Sequence, residues 1–172
     1  MRGTDFERDG YFLYQFEKQD WMSLKSIRLE ALREEPGVFG SSFSKEALLS
    51  DSSWQERLAA KDRAHFGLFL DNGECVGITG IGKQTSAGNS VVLVASYIKK
   101  EHRGRGLSKL FYDVRIDWAK QNGYDKAIVS HRDTNLMSKA ANQKAGFSFT
   151  HSEERVWPDG IRSNELFYAL FL

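Results

Sequence analysis

The sequence predicts a mixed α/β protein of the α+β type, in which about seven strands form a mostly antiparallel sheet and about four helices flank it. Three observations favour this class. Short segments rich in Val, Ile and aromatic residues alternate with segments of helical periodicity. Asn72-Gly73 separates two strand-like segments, as in a hairpin turn. The predicted order, β-α-α-β-β-β-α-β-α-β-β, contains one internal strand–helix–strand unit.

The elements before residue 90 follow from caps, turns and aromatic content. Residues 1–10 are polar and aperiodic, which predicts a loose N-terminal lead ahead of a single domain at residues 11–172. Residues 39–49 stay unassigned. The predicted elements are a strand at residues 11–16, a helix capped by Asp20 and ended before Pro36, a helix from Ser53 to about Lys61, and strands at residues 65–70 and 76–81.

The elements from residue 90 onward begin with a nearly continuous apolar segment. Residues 90–98 predict a central strand covered on both faces. An apolar face then recurs at intervals of three and four residues from Leu107 to Trp118, and this helix ends near Asn122-Gly123. The remaining predicted elements are a strand at residues 127–130, a helix at 134–145 ended by Gly146, and strands at 147–157 and 161–172.

Composition excludes several classes of protein. Hydrophobic residues make up 41% and charged residues 27% of the 172 residues, which is typical of a globular protein with a core. With 24 basic and 23 acidic residues, the net charge of +1 gives no general attraction to nucleic acid or membrane. The single cysteine, Cys75, excludes an internal disulfide and a cysteine metal cluster, and we expect it to be a buried strand residue. Without a leader or a membrane-length apolar run, we expect a cytoplasmic protein, monomeric or homodimeric, that uses no metal.

The turn between the central strand and the next helix is the main candidate for chemistry. Residues 99–109 combine lysines, arginines and His102 with Gly104 and Gly106. A helix start exposes backbone N–H donors, and glycines let phosphate oxygens approach them, so the turn is a candidate pyrophosphate cradle. The alternative is a solvated basic turn. The P-loop pattern is absent, and the dinucleotide pattern fails because Lys109 replaces its third glycine.

The segment Arg103-Gly104-Arg105-Gly106-Leu107-Ser108 resembles motif A, Gln/Arg-x-x-Gly-x-Gly/Ala, of the GNAT superfamily of acyl-CoA-dependent N-acetyltransferases. Ser108 replaces the final Gly or Ala of that motif. Asn135, followed by Gly146-Phe147, is similar to the family's second signature, in which an Asn opens a helix that ends in Gly-Phe. Residues 28–39 are similar to the first helices of many members. The resemblance covers nearly the whole chain.

The resemblance implies a sheet that splays between its fourth and fifth strands and admits the pantetheine arm of acetyl-CoA into the gap. Tyr97 and Ile98 would contact pantetheine and the thioester, and a backbone N–H at a strand bulge would polarise the thioester carbonyl. Asn135 would form a wall of the pantetheine channel, although by itself it is typical of a helix cap. The residues implied for the pyrophosphate are Arg103, Gly104, Arg105, Gly106, Leu107 and Ser108.

The reaction implied is direct transfer of the acetyl group to a primary amine of a small molecule or a peptide N-terminus. An amine of pKa near 10.4 is harder to deprotonate at pH 7 than a thiolate of pKa near 8.5 is to protonate. Asn142 occupies the position where many members carry a tyrosine that protonates the thiolate, so water or Ser138 would deliver that proton. Asn142 is alternatively a polar helix residue.

The base has several candidates. Ser130 occupies the position where some members carry a catalytic Glu, and the resemblance favours Ser130 facing the substrate. His131 has a suitable reference pKa, but strand alternation sends it to the opposite face, and a structural histidine is the alternative. Glu34 and Glu35, where the family builds its substrate entrance, would attract a cationic amine or relay a proton through water. Solvated carboxylates are the alternative for both.

Two other functions remain open at this stage. Asn142, Ser130 and the missing strand carboxylate are compatible with a catalytically degenerate coenzyme A-binding sensor or regulatory domain. A nucleic-acid module using residues 99–109 has little support, because the rest of the chain is nearly neutral.

Overall fold

The computed structural model describes residues 5–86 and 88–172, which form eight strands and five helices. The strands are β1 (Phe6–Arg8), β2 (Tyr11–Gln15), β3 (Arg63–Leu70), β4 (Cys75–Gln84), β5 (Ser90–Ile98), β6 (Lys126–Arg132), β7 (Ser148–Val156) and β8 (Arg162–Phe171). The helices are α1 (Trp21–Glu34), α2 (Phe43–Glu46), α3 (Asp51–Ala59), α4 (Ser108–Gln121) and α5 (Leu136–Lys144). Short 3-10 turns lie at Lys18–Asp20 and Lys100–His102.

The strands form one sheet in the order β1-β2-β3-β4-β5-β6-β8-β7. Every neighbouring pair is antiparallel except β5 and β6, which the crossover through α4 makes parallel. The described residues of these two strands pair only between Ser90–Val92 and Lys126–Ile128. Both strands continue well past that point, so they diverge and leave a gap in the sheet. The predicted fold class and the predicted splay are confirmed.

A bulge in β5 lies just beyond this divergence. Tyr97 pairs with Ile78 but Val94 pairs with Gly80, so β5 contains one residue more than β4 over this stretch. Ala95 takes up the extra length at φ 59, a left-handed conformation that is uncommon for a residue with a Cβ. The bulge also reverses the alternation of side chains, because Leu93 packs in the core beside α4 whereas Tyr97 packs in the core beside α1.

Helices cover both faces of the sheet around this bulge. Buried apolar residues of α1 and α3, among them Leu24, Ile27 and Trp54, pack on one face. Leu110, Phe111 and Val114 of α4 pack on the other, as the predicted helical face requires. The second half of β5 departs from the prediction of a strand covered on both faces, because 41% of Val94 is exposed. The gap between β5 and β6 opens beside it.

Two boundaries and one helix cap differ from the sequence prediction. Residues 6–8, expected to belong to a loose lead, form β1, because Asp9 and Gly10 both adopt positive φ and turn the chain back into β2. Residues 1–4 lie outside the described residues. The second helix, α3, begins earlier than predicted, since the hydroxyl of Ser50 accepts the N-cap bond from the N–H of Ser53. Asp20 stands at the N-cap of α1, but its carboxylate accepts from the N–H of Glu17.

We expect Ala95→Gly to raise the free energy of unfolding by about 1 kcal/mol, because glycine adopts positive φ without the steric clash of a Cβ. Denaturant titration would measure the change. Ala127→Gly is the matched control: Ala127 is fully buried in a regular part of β6, so the same substitution should destabilise the protein by about 1 kcal/mol. Equal effects of the two substitutions would contradict a strained bulge.

Candidate active site at the strand divergence

Two cavities meet where β5 and β6 part. The turn cavity, of about 740 Å³, is bordered by the basic glycine turn that follows β5. The far cavity, also about 740 Å³, extends from the divergence towards α2, α3 and the outer ends of β3 and β4. Six residues line both cavities, and we call them the junction: Val38, Ser96, Tyr112, Arg115, Asn135 and Ser138.

The glycine turn presents free backbone donors to the turn cavity. In the part of the chain that the structure describes, the N–H groups from Gly104 to Ser108 make no backbone hydrogen bond. Gly104 and Gly106 adopt φ of 75 and 72, and such left-handed residues occur in the anion-binding turns called nests. Such a row of N–H groups at a helix N-terminus can bind an anion.

Eight of the nine residues predicted to bind the cofactor line the turn cavity. They are Tyr97, Ile98, Arg103, Gly104, Gly106, Leu107, Ser108 and Asn135. Arg105 is exposed and lies outside this lining.

Several basic side chains of the turn already have partners. The guanidinium of Arg103 donates to the carbonyl oxygen of Ile98 at 2.7 Å and forms an ion pair with Glu35 at 2.5 Å. Arg103 therefore anchors the end of α1 to the turn. Lys109 pairs with Asp113 at 2.5 Å, and Lys99 with Glu74 at 3.0 Å.

Arg8 adds a cation that no motif in the sequence indicates. Its guanidinium donates to the carbonyl oxygen of Gly106 at 3.1 Å, although the two residues are far apart in the chain. Residues 1–10 show no periodicity, and Asp9-Gly10, a common hairpin pair, is the one signal that pointed to a strand there.

Asn135 is both a helix cap and part of the cavity wall. Its side-chain oxygen accepts from the N–H of Ser138 at 3.1 Å, which is the N-cap bond of α5. The cap holds both residues at the junction. The two interpretations of Asn135 from the sequence are therefore compatible.

Tyr112 of α4 places a hydroxyl at the junction and donates to the Oδ1 of Asn142 at 2.5 Å. Burial raises the pKa of Tyr112, while the charge of Arg115 acts in the opposite direction. Asn142 is 2% exposed, and its Nδ2 has no partner among the described residues. The sequence pattern does not indicate Tyr112, because this residue lies off the apolar face of its helix.

Arg115 brings a positive charge to the same place. It is 2% exposed, and it donates to the carbonyl oxygen of Phe111 at 2.8 Å and to the hydroxyl of Ser96 at 3.0 Å. No carboxylate pairs with it among the described residues. Burial lowers the pKa of Arg115 to about 10, so the side chain stays cationic at neutral pH.

Ser130 and His131 have different surroundings. The hydroxyl of Ser130 donates to Glu165 Oε1 at 2.5 Å, and the other carboxylate oxygen of Glu165 pairs with Arg155 at 3.0 Å. His131 is 4% exposed; its Nδ1 donates to the carbonyl oxygen of Arg132 at 2.6 Å, and its Nε2 lies 3.1 Å from the hydroxyl of Tyr168. Both nitrogens are engaged, which favours a structural histidine over a base.

The remaining candidates lie away from the far cavity. Glu34 and Glu35 line the turn cavity; Glu35 is paired with Arg103, and Glu34 lies 3.6 Å from Arg33.

Burial raises the pKa of the free thiol of Cys75 to about 12, which makes it a poor nucleophile at neutral pH. The described residues contain no cluster of three or more metal-binding side chains. Within the described chain, no helix has the length and apolar content needed to cross a membrane.

Comparison with known proteins identifies the family of this chain. The model of the acetyltransferase (GNAT) family matches residues 23–147. A proposed acetyltransferase from Acinetobacter baylyi has a similar structure, with a TM-score of 0.80 at 20% identity over 97% of this chain and 94% of that chain. The ribosomal-protein-S5-alanine acetyltransferase of Vibrio fischeri aligns with a TM-score of 0.80 at 13% identity, over 96% and 95%.

A third structure, a proposed acetyltransferase from Salmonella typhimurium with its cofactor acetyl-CoA, aligns with a TM-score of 0.77 at 18% identity over 94% of both chains. No curated protein matches the chain in sequence. At these identities the structural similarities establish a common fold, whereas the family model covers most of the chain, including the glycine turn and α5. The chain belongs to the acetyltransferase (GNAT) family.

Proposed function

We propose that the protein is an acetyl-CoA-dependent N-acetyltransferase that transfers the acetyl group directly to a primary amine of a small molecule or a peptide N-terminus. The observation that carries this proposal is the meeting of two cavities at the junction. One cavity has an anion-binding turn at its edge, and the other offers separate space for an acceptor. A donor and an acceptor can therefore approach each other from opposite sides of the strand divergence.

The turn cavity suits a ligand with a pyrophosphate at one end. The five N–H groups from Gly104 to Ser108 and the positive end of the α4 dipole would bind the phosphates. Arg8 lies against Gly106, and the exposed Arg105 is close by in sequence. The splayed edge of β5 at Tyr97 and Ile98 would accept the pantetheine arm. Acetyl-CoA supplies an activated acetyl group as a thioester.

Tyr112 is the proposed proton donor for the leaving thiolate. Burial keeps its phenol protonated at neutral pH, and Asn142 Oδ1 accepts the hydrogen bond of its hydroxyl at the junction. The hydroxyl would turn from Asn142 towards the sulfur to transfer its proton as the thiolate leaves. The nearby charge of Arg115 would stabilise the phenolate that remains after proton transfer. Asn142 itself has no ionisable proton, so it acts as a positioning residue. Ser138, which also lines the junction, is the alternative donor.

Glu165 is the proposed base, acting on the amine through Ser130 or a water molecule. It comes from β8, and it reaches the position of the missing strand carboxylate through its bond with Ser130. The two groups whose absence suggested a degenerate domain are thus supplied by neighbouring elements. This geometry favours an enzyme over a coenzyme A-binding sensor.

Incubation of the protein with acetyl-CoA and a panel of primary amines tests the function, with release of free thiol as the measurement. We expect release to depend on the amine. Binding of acetyl-CoA without thiol release for any amine would contradict the enzyme and favour the sensor.

We expect Gly106→Glu to weaken acetyl-CoA binding at least about a hundredfold, because a carboxylate beside the pyrophosphate costs several kcal/mol at short range. Calorimetric titration measures the affinity. Gly123→Glu is the matched control, since Gly123 has a similar φ of 76 at the end of α4 and open space around it. Equal affinities of the two variants would exclude the turn as the phosphate site.

Tyr112→Phe should lower kcat by about tenfold to a hundredfold and leave the KM for acetyl-CoA nearly unchanged, because the variant loses a proton donor and keeps the ring. Steady-state thiol release measures both constants. Tyr124→Phe, beyond the end of α4, is the control and should behave as the wild type. A kcat equal to that of the wild type would transfer the role to Ser138 or water.

Glu165→Gln should lower kcat/KM strongly near pH 7 and progressively less at higher pH. The reason is that a base is needed only while the amine is protonated, and a lysine-like amine loses its proton near pH 10. Profiles of kcat/KM against pH for both proteins provide the measurement. Parallel profiles would mean that Glu165 does not act on the amine.

A further inference from the structure

The lining of the far cavity carries an excess of positive charge. Its six cationic side chains are Arg28, Arg57, Arg63, Lys83, Arg115 and Arg155. Only three carboxylates lie among its lining residues: Glu46, Asp62 and Glu165. The chain as a whole is nearly neutral, so this excess is local. A cleft lined by one sign of charge concentrates ligands of the opposite sign.

Part of this excess lies at the α1–α3 side of the cavity. Glu46, which is 6% exposed, accepts from Arg28 at 3.0 and 3.2 Å and from Arg57 at 3.1 Å. Burial opposes ionisation of Glu46, but the two arginines outweigh it, so the pKa of Glu46 is lowered and its carboxylate is charged at neutral pH. Two cations share this one anion, and one positive charge is left over.

Unpartnered polar atoms cluster around the same cavity. Five buried side-chain nitrogen or oxygen atoms of the described chain have no hydrogen-bond partner. Three of them belong to residues of the far cavity: Arg28 Nη1, His65 Nδ1 and Asn142 Nδ2. Each such atom costs about 1–3 kcal/mol, which a native structure rarely tolerates without a role for the atom. An acceptor oxygen on a bound ligand would satisfy Arg28 once its side chain turns slightly towards the cavity.

The pKa of His65 reflects the positive charges in this part of the cavity. Burial and the charges of Arg57, Arg28 and Arg63 lower the pKa of His65 to about 4, while Glu46 acts weakly in the opposite direction. The imidazole is therefore neutral at pH 7 and adds no charge. Gly80 lies between His65 and Val94 on adjacent strands, and a Cβ there would lie only 3.1 Å from His65 Cδ2, so the imidazole packs closely over the glycine.

We infer that the acceptor is an amine that also carries a carboxylate, and that Arg28 and Arg57 bind this carboxylate beside His65. The inference rests on the proposed function and names its substrate class. Val94, which borders the subsite, is separated from Ser96 of the junction by the bulge residue Ala95, so the subsite and the junction are different parts of the far cavity. The amine and the carboxylate of the acceptor are therefore separated by several bonds.

The positive cavity also assists the chemistry. An ammonium group that enters a cationic environment loses its proton more readily than it does in water, because the nearby charges disfavour its charged form. The carboxylate would hold such an acceptor in place despite that repulsion. One charge distribution thus favours binding of the anionic end and deprotonation of the amine.

A kinetic comparison of matched acceptors tests the substrate class. We expect 6-aminohexanoate to have a kcat/KM at least about tenfold above that of its methyl ester. We expect Arg57→Met to lower the kcat/KM of the acid and so to remove most of this preference. Lys120→Met, at the end of α4 and outside the cavity lining, is the control and should keep the preference. Equal kcat/KM values for acid and ester in the wild type would overturn the inference.

A second measurement does not depend on acetyl transfer. Hexanoate has no amine to react, and at pH 7 its carboxylate is ionised. Its binding beside His65 should therefore shift the imidazole NMR resonances of His65, because a nearby anion changes their environment. NMR spectra recorded at pH 7 with increasing hexanoate measure this shift, and Arg57→Met should reduce it. A protein that shows the shift but turns over no amine would retain the subsite and refute the proposed function. Absence of the shift would refute the subsite, whatever the turnover.

Discussion

The early end of pairing between β5 and β6 is the constraint on which the rest of the molecule depends. Pairing stops after Val92 and Ile128, and the bulge at Ala95 bends β5 just beyond that point. A continuous sheet would satisfy more backbone groups, so the gap has a cost that a ligand binding along the strand edge can offset. The glycine turn and α4 follow β5, and α5 follows β6, so both helices begin at the edges of the gap.

The charges and N–H donors around this gap determine which ligands it can bind. Unpaired N–H groups lie at the mouth of the turn cavity, the buried Arg115 lies at the junction, and arginines exceed carboxylates in the far cavity. All three features favour the binding of an anionic group. The two cavities nevertheless remain distinct sites. On the turn side Glu35 neutralises Arg103, and the acids predicted at the acceptor entrance line the turn cavity.

In the proposed mechanism, neighbouring residues complete two sequence positions that looked deficient. Asn142 holds the hydroxyl of Tyr112, and Ser130 holds the carboxylate of Glu165. Asn142 accepts a hydrogen bond from Tyr112, and Ser130 donates one to Glu165. In each case a short polar side chain holds a longer ionisable group from another element. A missing catalytic residue in one element is therefore weak evidence for lost catalysis, because the cavity requires a chemical group rather than a particular position in the chain.

The sequence by itself determined the order of the elements apart from β1 and α2, the glycine turn before α4 and the cap at Asn135, because periodicity, positive φ and capping are set by residues close in the chain. Only the tertiary structure decided that Arg8 reaches Gly106, that His131 is enclosed by Arg132 and Tyr168, and that Tyr112 and Glu165 face the cavities. Most of these contacts join residues about 30 to 100 positions apart. Local patterns carry no information about such pairs, because packing of the sheet and helices brings them together.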